Sequence, residues 1–87
     1  MTEEIMKDAQ TKALNLSQAK EGDEVVVVKV AGNSALRRRL LEMGLVKGAV
    51  LKVEKYAPLR DPLELVLKGM HLSLRVEEAK NVIIEKP

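Results

Sequence analysis

Apolar and polar residues alternate along several short stretches in the second two-thirds of the chain, and this two-residue period predicts β-strands. In the clearest of these stretches, Leu51 and Val53 face one way, whereas Lys52 and Glu54 face the other. Turn residues separate the stretches from one another. The predicted strands are Glu24–Val30, Ala49–Tyr56, Leu63–Lys68, Met70–Arg75 and Asn81–Glu85.

The first predicted strand departs from strict alternation. It reads E-V-V-V-V-K-V, so four consecutive residues, 25 to 28, are apolar. Either both faces of this strand are covered, or a β-bulge shifts the parity before Val30. Farther along, Val76–Lys80 reads V-E-E-A-K, which predicts one helical turn at most.

One longer helix is predicted within the stretch from Asn33 to Gly48. Asn33 and Ser34 are both good N-cap residues, because a short side-chain oxygen can accept a hydrogen bond from a free backbone N–H. Gly44 is suited to the position just after the helix, where the backbone adopts a left-handed conformation with positive φ. The apolar residues recur at spacings of four and three and form one face: Leu36, Leu40 and Met43.

These elements predict one mainly β domain over residues 14–87, with one short α-helix and about five strands in a small twisted barrel. Glycines mark its turns: Gly44, Gly48 and Gly69. Residues 1–13 are polar, with only Ile5, Ala9 and Ala13 at helical spacing. Because this apolar content is small, they are expected to form a mobile or loosely helical extension.

Composition narrows the function classes. Phe and Trp are absent and Tyr56 is the only aromatic residue, which argues against a reader of single-stranded nucleic acid that stacks bases on aromatic rings. The chain has no cysteine, so disulfides, thiolate metal sites and cysteine nucleophiles are excluded. The one histidine, His71, falls on the outward side of its strand without a second imidazole, so no metal site is expected.

No motif for catalysis or membrane insertion is present. The chain has no Ser-His-acid set and no glycine-rich phosphate loop, so we expect a non-enzyme without a cofactor. Its longest apolar run, Val25 to Val28, is far short of the roughly 20 residues that span a bilayer. The N-terminus carries Glu3 and Glu4 rather than a basic signal-peptide region, which favours a cytoplasmic location without direct membrane insertion.

Two stretches are candidates for binding a partner. Arg37 and Arg39 could lie along the helix edges while Arg38 is solvated. Alternatively, Arg37 and Arg38 could join Leu41, which lies off the apolar face, in a basic and apolar docking surface. The second stretch is the loop from Pro58 to Pro62.

This loop could serve as a stiff connection between two strands. Alternatively, its rigidity could present Leu59 and Arg60 to a partner with little loss of conformational entropy on binding. The candidate partner-binding residues are therefore Arg37, Arg38, Leu41, Pro58, Leu59 and Arg60.

Three segments together resemble the FeoA family over about residues 14–86: R-R-R-L-L-E-M-G-L-V-K-G, Y-A-P-L-R-D-P-L-E-L and G-M-H-L-S-L-R-V-E-E-A-K-N-V. Val46 departs from the family, many of whose members have proline or a polar residue there. The resemblance implies an SH3-like barrel and a cytoplasmic accessory role in bacterial ferrous-iron transport. It also implies a partner, the cytosolic part of a ferrous-iron permease with its GTP-binding domain, which docking would regulate.

Two other functions remain open. A nucleic-acid-binding barrel would fit the sequence pI near 9.0, but 13 acidic residues nearly balance 15 basic ones, so no nucleic acid is expected. The second is a repressor-type SH3-like accessory domain, because the same barrel forms the C-terminal domain of iron-dependent repressors. Self-association into a weak homo-oligomer is also left open.

Overall fold

A computed structural model of the protein describes residues 14–86, so the predicted extension of residues 1–13 lies outside the described part. Within this described range, six strands form one antiparallel sheet in the order β1-β6-β2-β3-β4-β5. The strands are β1 (Leu14–Asn15), β2 (Glu24–Val30), β3 (Val50–Tyr56), β4 (Leu63–Leu67), β5 (Met70–Leu74) and β6 (Val82–Glu85). The helices are α1 (Ser34–Glu42) and the single turn α2 (Val76–Ala79), with a 3-10 turn at Leu16–Gln18 and a tight, partly left-handed turn at Pro58–Arg60.

All five predicted strands are present within one residue of their predicted ends, whereas β1 was not predicted. This strand has two residues, and Leu14 pairs with Ile84 of β6. Two residues cannot display an alternating pattern, so the sequence carries no periodic signal for β1.

The irregular alternation of β2 arises from a bulge. The pairing of β2 with β6 shifts register between Val27 and Lys29, so Val28 has no partner in that ladder. Val25, Val27 and Val30 are buried as a result. The bulge that the sequence offered as one of two explanations is therefore present.

The inward sides of the strands and one face of α1 enclose a single core built almost entirely from aliphatic residues. Its largest fully buried side chains are Leu16, Leu40, Leu45, Leu51, Leu63, Leu65, Leu74, Ile84, Val25, Val27, Val53 and Val82. Leu16 and Ala19 show that the segment after β1 also closes over this core.

Helix α1 begins and ends with hydrogen bonds that its sequence supports. The Asn33 side chain accepts a hydrogen bond from the Leu36 N–H at 2.9 Å. At the other end, the Gly44 and Leu45 N–H groups donate to the carbonyls of Leu41 and Leu40, which is a Schellman ending. Gly44 has φ of +101°, which glycine adopts without steric cost.

Candidate functional site: an exposed loop and the outer side of helix α1

The loop between β3 and β4 places an apolar side chain in solvent. Leu59 is 97% exposed, against 46% to 58% for the other exposed large apolar residues of 14–86. Leu59 and Arg60 have φ of +66° and +63°. Side chains with a Cβ are strained in this left-handed region, at a cost on the order of 1–3 kcal/mol for each residue. Because Leu59 gains nothing from burial, other contacts must hold this conformation.

Arg60 and Tyr56 supply one of these contacts. The Arg60 Cζ lies 4.2 Å from the centroid of the Tyr56 ring, within the range of a cation–π interaction. The Tyr56 hydroxyl points at the backbone carbonyls of Ser17 and Ala19, to which it can donate. Burial raises the pKa of Tyr56, and the Arg60 charge partly opposes that shift. Arg60 thus fastens the loop to the barrel.

Asp61 fastens the other end of the loop. Its Oδ1 atom accepts a hydrogen bond from the Val76 N–H at 3.1 Å and lies 3.6 Å from the Arg75 Nε. The first turn of α2 is therefore joined to the loop, and Leu59 projects from a segment held on both sides.

The three consecutive arginines of α1 have different environments. The Arg37 Nε donates to the Val30 carbonyl at 3.2 Å, and the Arg39 guanidinium pairs with the Glu78 carboxylate. Within residues 14–86, Arg38 forms no ion pair. This arrangement agrees with the interpretation in which Arg37 and Arg39 lie along the helix edges and Arg38 is solvated.

Three predicted docking residues, Arg37, Arg38 and Leu41, line one surface depression on the outer side of α1, together with Gly32, Ser34 and Glu42. Leu41 is half-buried and packs against the core, so it is less free than its position off the apolar face suggested. Pro58, Leu59 and Arg60 lie outside this depression. The predicted docking residues therefore form two separate sub-surfaces: the α1 sub-surface of Arg37, Arg38 and Leu41, and the loop sub-surface of Pro58, Leu59 and Arg60.

Glu78 joins α2 to α1 and was not among the partner-binding residues predicted from the sequence. Its carboxylate accepts the Arg75 N–H at 3.0 Å and also pairs with Arg39 of α1. Because Asp61 binds the start of the same helix, α2 links α1 to the exposed loop. The spacing of Glu78 at the third position of α2 is a capping signal that could have identified it.

The described residues show no site for metal chemistry. His71 lies on the outer side of β5, with its Nδ1 3.0 Å from the Glu54 Oε1; the His71 side chain is largely exposed and that of Glu54 is partly exposed. Within residues 14–86, no three His, Asp or Glu side chains are close enough together to hold a metal ion. In the same part of the chain, no helix is long and apolar enough to cross a membrane.

Comparison with known proteins decides the family, since residues 14–86 match the FeoA domain. The chain belongs to the FeoA family. The resemblance found in the three sequence segments is thereby confirmed. A Porphyromonas gingivalis protein, named as a fusion of Fe(2+) transport protein A with the Fe(2+) transporter FeoB, is 40% identical over 72 residues. The match covers 83% of this chain and 8% of that relative's length.

Solved structures of FeoA proteins share the fold. A FeoA-like protein of Clostridium acetobutylicum superposes with a TM-score of 0.80 at 37% identity, covering 87% of this chain and 88% of that one. The FeoA of Stenotrophomonas maltophilia, described as an SH3 domain protein and solved with zinc, gives a TM-score of 0.74 at 32% identity. That match covers 84% of this chain and 91% of that one. The FeoA-family chain thus has the small SH3-like barrel that the sequence predicted.

Proposed function

We propose that this FeoA-family chain is a non-enzymatic cytoplasmic accessory protein of ferrous-iron transport. It docks on the cytosolic GTP-binding region of an iron permease and regulates uptake. The P. gingivalis relative supports this partner, because its name joins an Fe(2+) transport protein A to a transporter in one polypeptide. The fusion holds the two parts together in that relative, and we propose the same pairing between separate chains here.

The single observation that carries the proposal is the position of Leu59. An apolar side chain that is 97% exposed and has a left-handed backbone contributes little to the barrel. Residues held in strained conformations by their surroundings are concentrated at functional sites. In a complex, Leu59 would bury its apolar area in a pocket of the partner without first having to become ordered.

The arginines on both sub-surfaces favour a partner that carries acidic side chains. Arg60 lies beside Leu59, and Arg38 extends from α1 without an ion pair within residues 14–86. A partner with an apolar pocket and neighbouring carboxylates complements this arrangement. Arginine is also enriched at the energetically dominant positions of protein interfaces.

Regulation requires that the barrel bind one state of the permease more tightly than another. Binding of the whole chain to the permease's cytosolic fragment should therefore be measured with GDP and with a non-hydrolysable GTP analogue. We expect different dissociation constants for the two states. Equal affinity for both would mean that the barrel binds without regulating.

The same assay tests the contact residue. Leu59→Ala should weaken binding by roughly thirtyfold, which corresponds to about 2 kcal/mol for a central interface anchor. Met70→Ala is the matched control, because Met70 is 58% exposed but lies outside both sub-surfaces. Equal loss of binding in the two variants would contradict a specific role for Leu59.

A further inference from the structure

A second surface, separate from the proposed docking residues, is a groove on the outer side of the sheet. It is bordered by β3, by β4 and by the turn that follows α1. Val46 and Val50 line it and are 46% and 51% exposed. The half-buried Val66 lies beside them, so the floor of the groove is apolar.

The rim of this groove is basic. Lys47, Lys52 and Lys68 line it, and all three are exposed. None of them forms an ion pair with another residue of the described range 14–86. Glu24, which lies opposite Lys52 in the strand register, is the one carboxylate in the lining. The groove therefore favours a ligand that is both apolar and acidic.

The chain itself contains a segment of this chemistry ahead of β1. Residues 3–8 read E-E-I-M-K-D, so three carboxylates surround the apolar pair Ile5 and Met6. With Lys7 as the single cation, the segment carries a formal side-chain charge of −2, from three acidic residues and one basic residue. Its charge and its apolar content both complement the groove.

The sheet register brings the groove within reach of this segment. Leu14 pairs with Ile84, and Ile84 pairs with Val27. The Val27 N–H in turn donates to the carbonyl of Ala49, which lines the groove, at 2.9 Å. Three strand spacings, about 14 Å, therefore separate Leu14 from the groove. The six residues from Asp8 to Leu14 can span about 20 Å when extended.

We infer that residues 3–8 bind in this groove of their own barrel. The apolar pair in this segment matches the exposed valines of the groove, and its carboxylates match the lysine rim. Because the segment is tethered, its effective concentration is on the order of millimolar, so a weak contact is enough to keep it bound. The contact lies within one chain and holds whether or not a permease docks on Leu59.

A spin label on the full chain tests this directly. The chain has no cysteine, so Thr2→Cys gives a single attachment point for a nitroxide. In the labelled protein, the amide signals of Val46, Gly48 and Val50 should be broadened in ¹⁵N-correlated NMR spectra, and reduction of the nitroxide should restore them. Unbroadened groove amides, or broadening centred on another surface, would overturn the inference.

Charge reversal supplies the controls. Glu3→Lys with Glu4→Lys leaves the barrel sequence intact and should abolish the broadening, as should reversal of the three rim lysines to glutamate. A matched variant reverses three exposed lysines outside the groove and should keep the broadening: Lys20, Lys29 and Lys55. Broadening that survives both groove-directed variants would contradict the proposed charge pairing.

A mixture of labelled unenriched chains with unlabelled ¹⁵N-enriched chains distinguishes contact within one chain from contact between chains. We expect no broadening in this mixture at the concentration used for the full chain. Groove amides broadened there as strongly as in the labelled enriched chain would show that a second copy supplies the segment, and would overturn the intramolecular assignment.

Discussion

The guanidinium of Arg60 stacks over the ring of Tyr56, with 4.2 Å between the Arg60 Cζ and the ring centroid. Tyr56 is anchored through its hydroxyl to the carbonyls of Ser17 and Ala19. The stack therefore connects the exposed loop to the first segment of the barrel. It places Arg60 in two roles, because the same side chain positions Leu59 and adds positive charge beside it.

Tyr56→Phe should lower the free energy of unfolding by about 1 kcal/mol at neutral pH, since it removes the partly buried hydroxyl's hydrogen bond but keeps the ring under Arg60. Burial raises the pKa of Tyr56 above its ordinary value of 10.0, so the folded state holds this proton more tightly than the unfolded state. The contribution of the protonated Tyr56 hydroxyl to the free energy of unfolding is therefore complete below pH 10.0. It declines as the pH rises through this value towards the raised pKa of the folded state.

Chemical denaturation of both proteins across this alkaline range checks the prediction. The parent should lose stability more steeply than Tyr56→Phe, so the gap between them should narrow. Lysines titrate in both proteins and cancel in the difference. A gap that stays constant across the range would contradict the assignment of the shift to Tyr56.

Gly44→Ala should destabilise the protein by roughly 1 kcal/mol or more. A Cβ at this position would lie 2.9 Å from the Leu67 Cδ2, and the backbone φ of +101° disfavours any L side chain. Gly22→Ala is the control, because Gly22 also has positive φ but open space around its Cβ position. Equal losses in denaturant titrations would show that only backbone strain matters at Gly44.

Truncation to alanine should cost much more free energy of unfolding at core positions than at surface positions. Truncation of a core leucine to alanine should cost about 2–5 kcal/mol, and the test positions are Leu40, Leu65 and Leu74. Leu59→Ala and Arg38→Ala should change stability by no more than about 0.5 kcal/mol. Leu41→Ala should fall between the two groups, because Leu41 packs partly against the core. Unfolding caused by Leu59→Ala would contradict its assignment as a free surface residue.

We also expect the purified, tag-free protein to bind no transition metal tightly. A lone imidazole does not make a tight Zn(II) or Fe(II) site, and among residues 14–86 His71 has Glu54 beside it but no third His, Asp or Glu side chain close enough to complete a metal site. Calorimetry with each ion should show no stoichiometric micromolar binding. A site of that strength that is lost in His71→Ala would disprove this expectation.

The fold could be predicted from the sequence wherever the hydrophobic periodicity of a strand or helix extended over enough residues to be recognised. Alternation located β3 and β4, and the spacing of Leu36, Leu40 and Met43 located α1. The bulge in β2 was detectable because four consecutive valines break the alternation. The ends of the predicted strands shifted by at most one residue, since hydrogen bonding at the termini depends on tertiary neighbours.

The candidate site was harder to predict, because its geometry depends on contacts between residues far apart in sequence. The sequence pointed to the loop at Leu59 through its flanking prolines. It could not show that Tyr56 reaches Ser17, or that Arg39 pairs with Glu78, since each pair is 39 residues apart. Leu41 was expected on a free surface because helical periodicity ignores what packs beside a helix.

Paired stability and binding measurements on Leu59→Ala combined with Arg60→Glu test the central claim most directly. The double variant should remain folded, because the core is unchanged, and its free energy of unfolding should fall only by the loss of the Arg60–Tyr56 contact, about 0.5–1 kcal/mol at an exposed site. It should also lose most of its affinity for the permease's cytosolic fragment and fail to support ferrous-iron uptake in cells, whereas Met70→Ala should behave as the parent does. A folded double variant that binds the fragment and supports uptake as well as the parent would contradict docking through this loop.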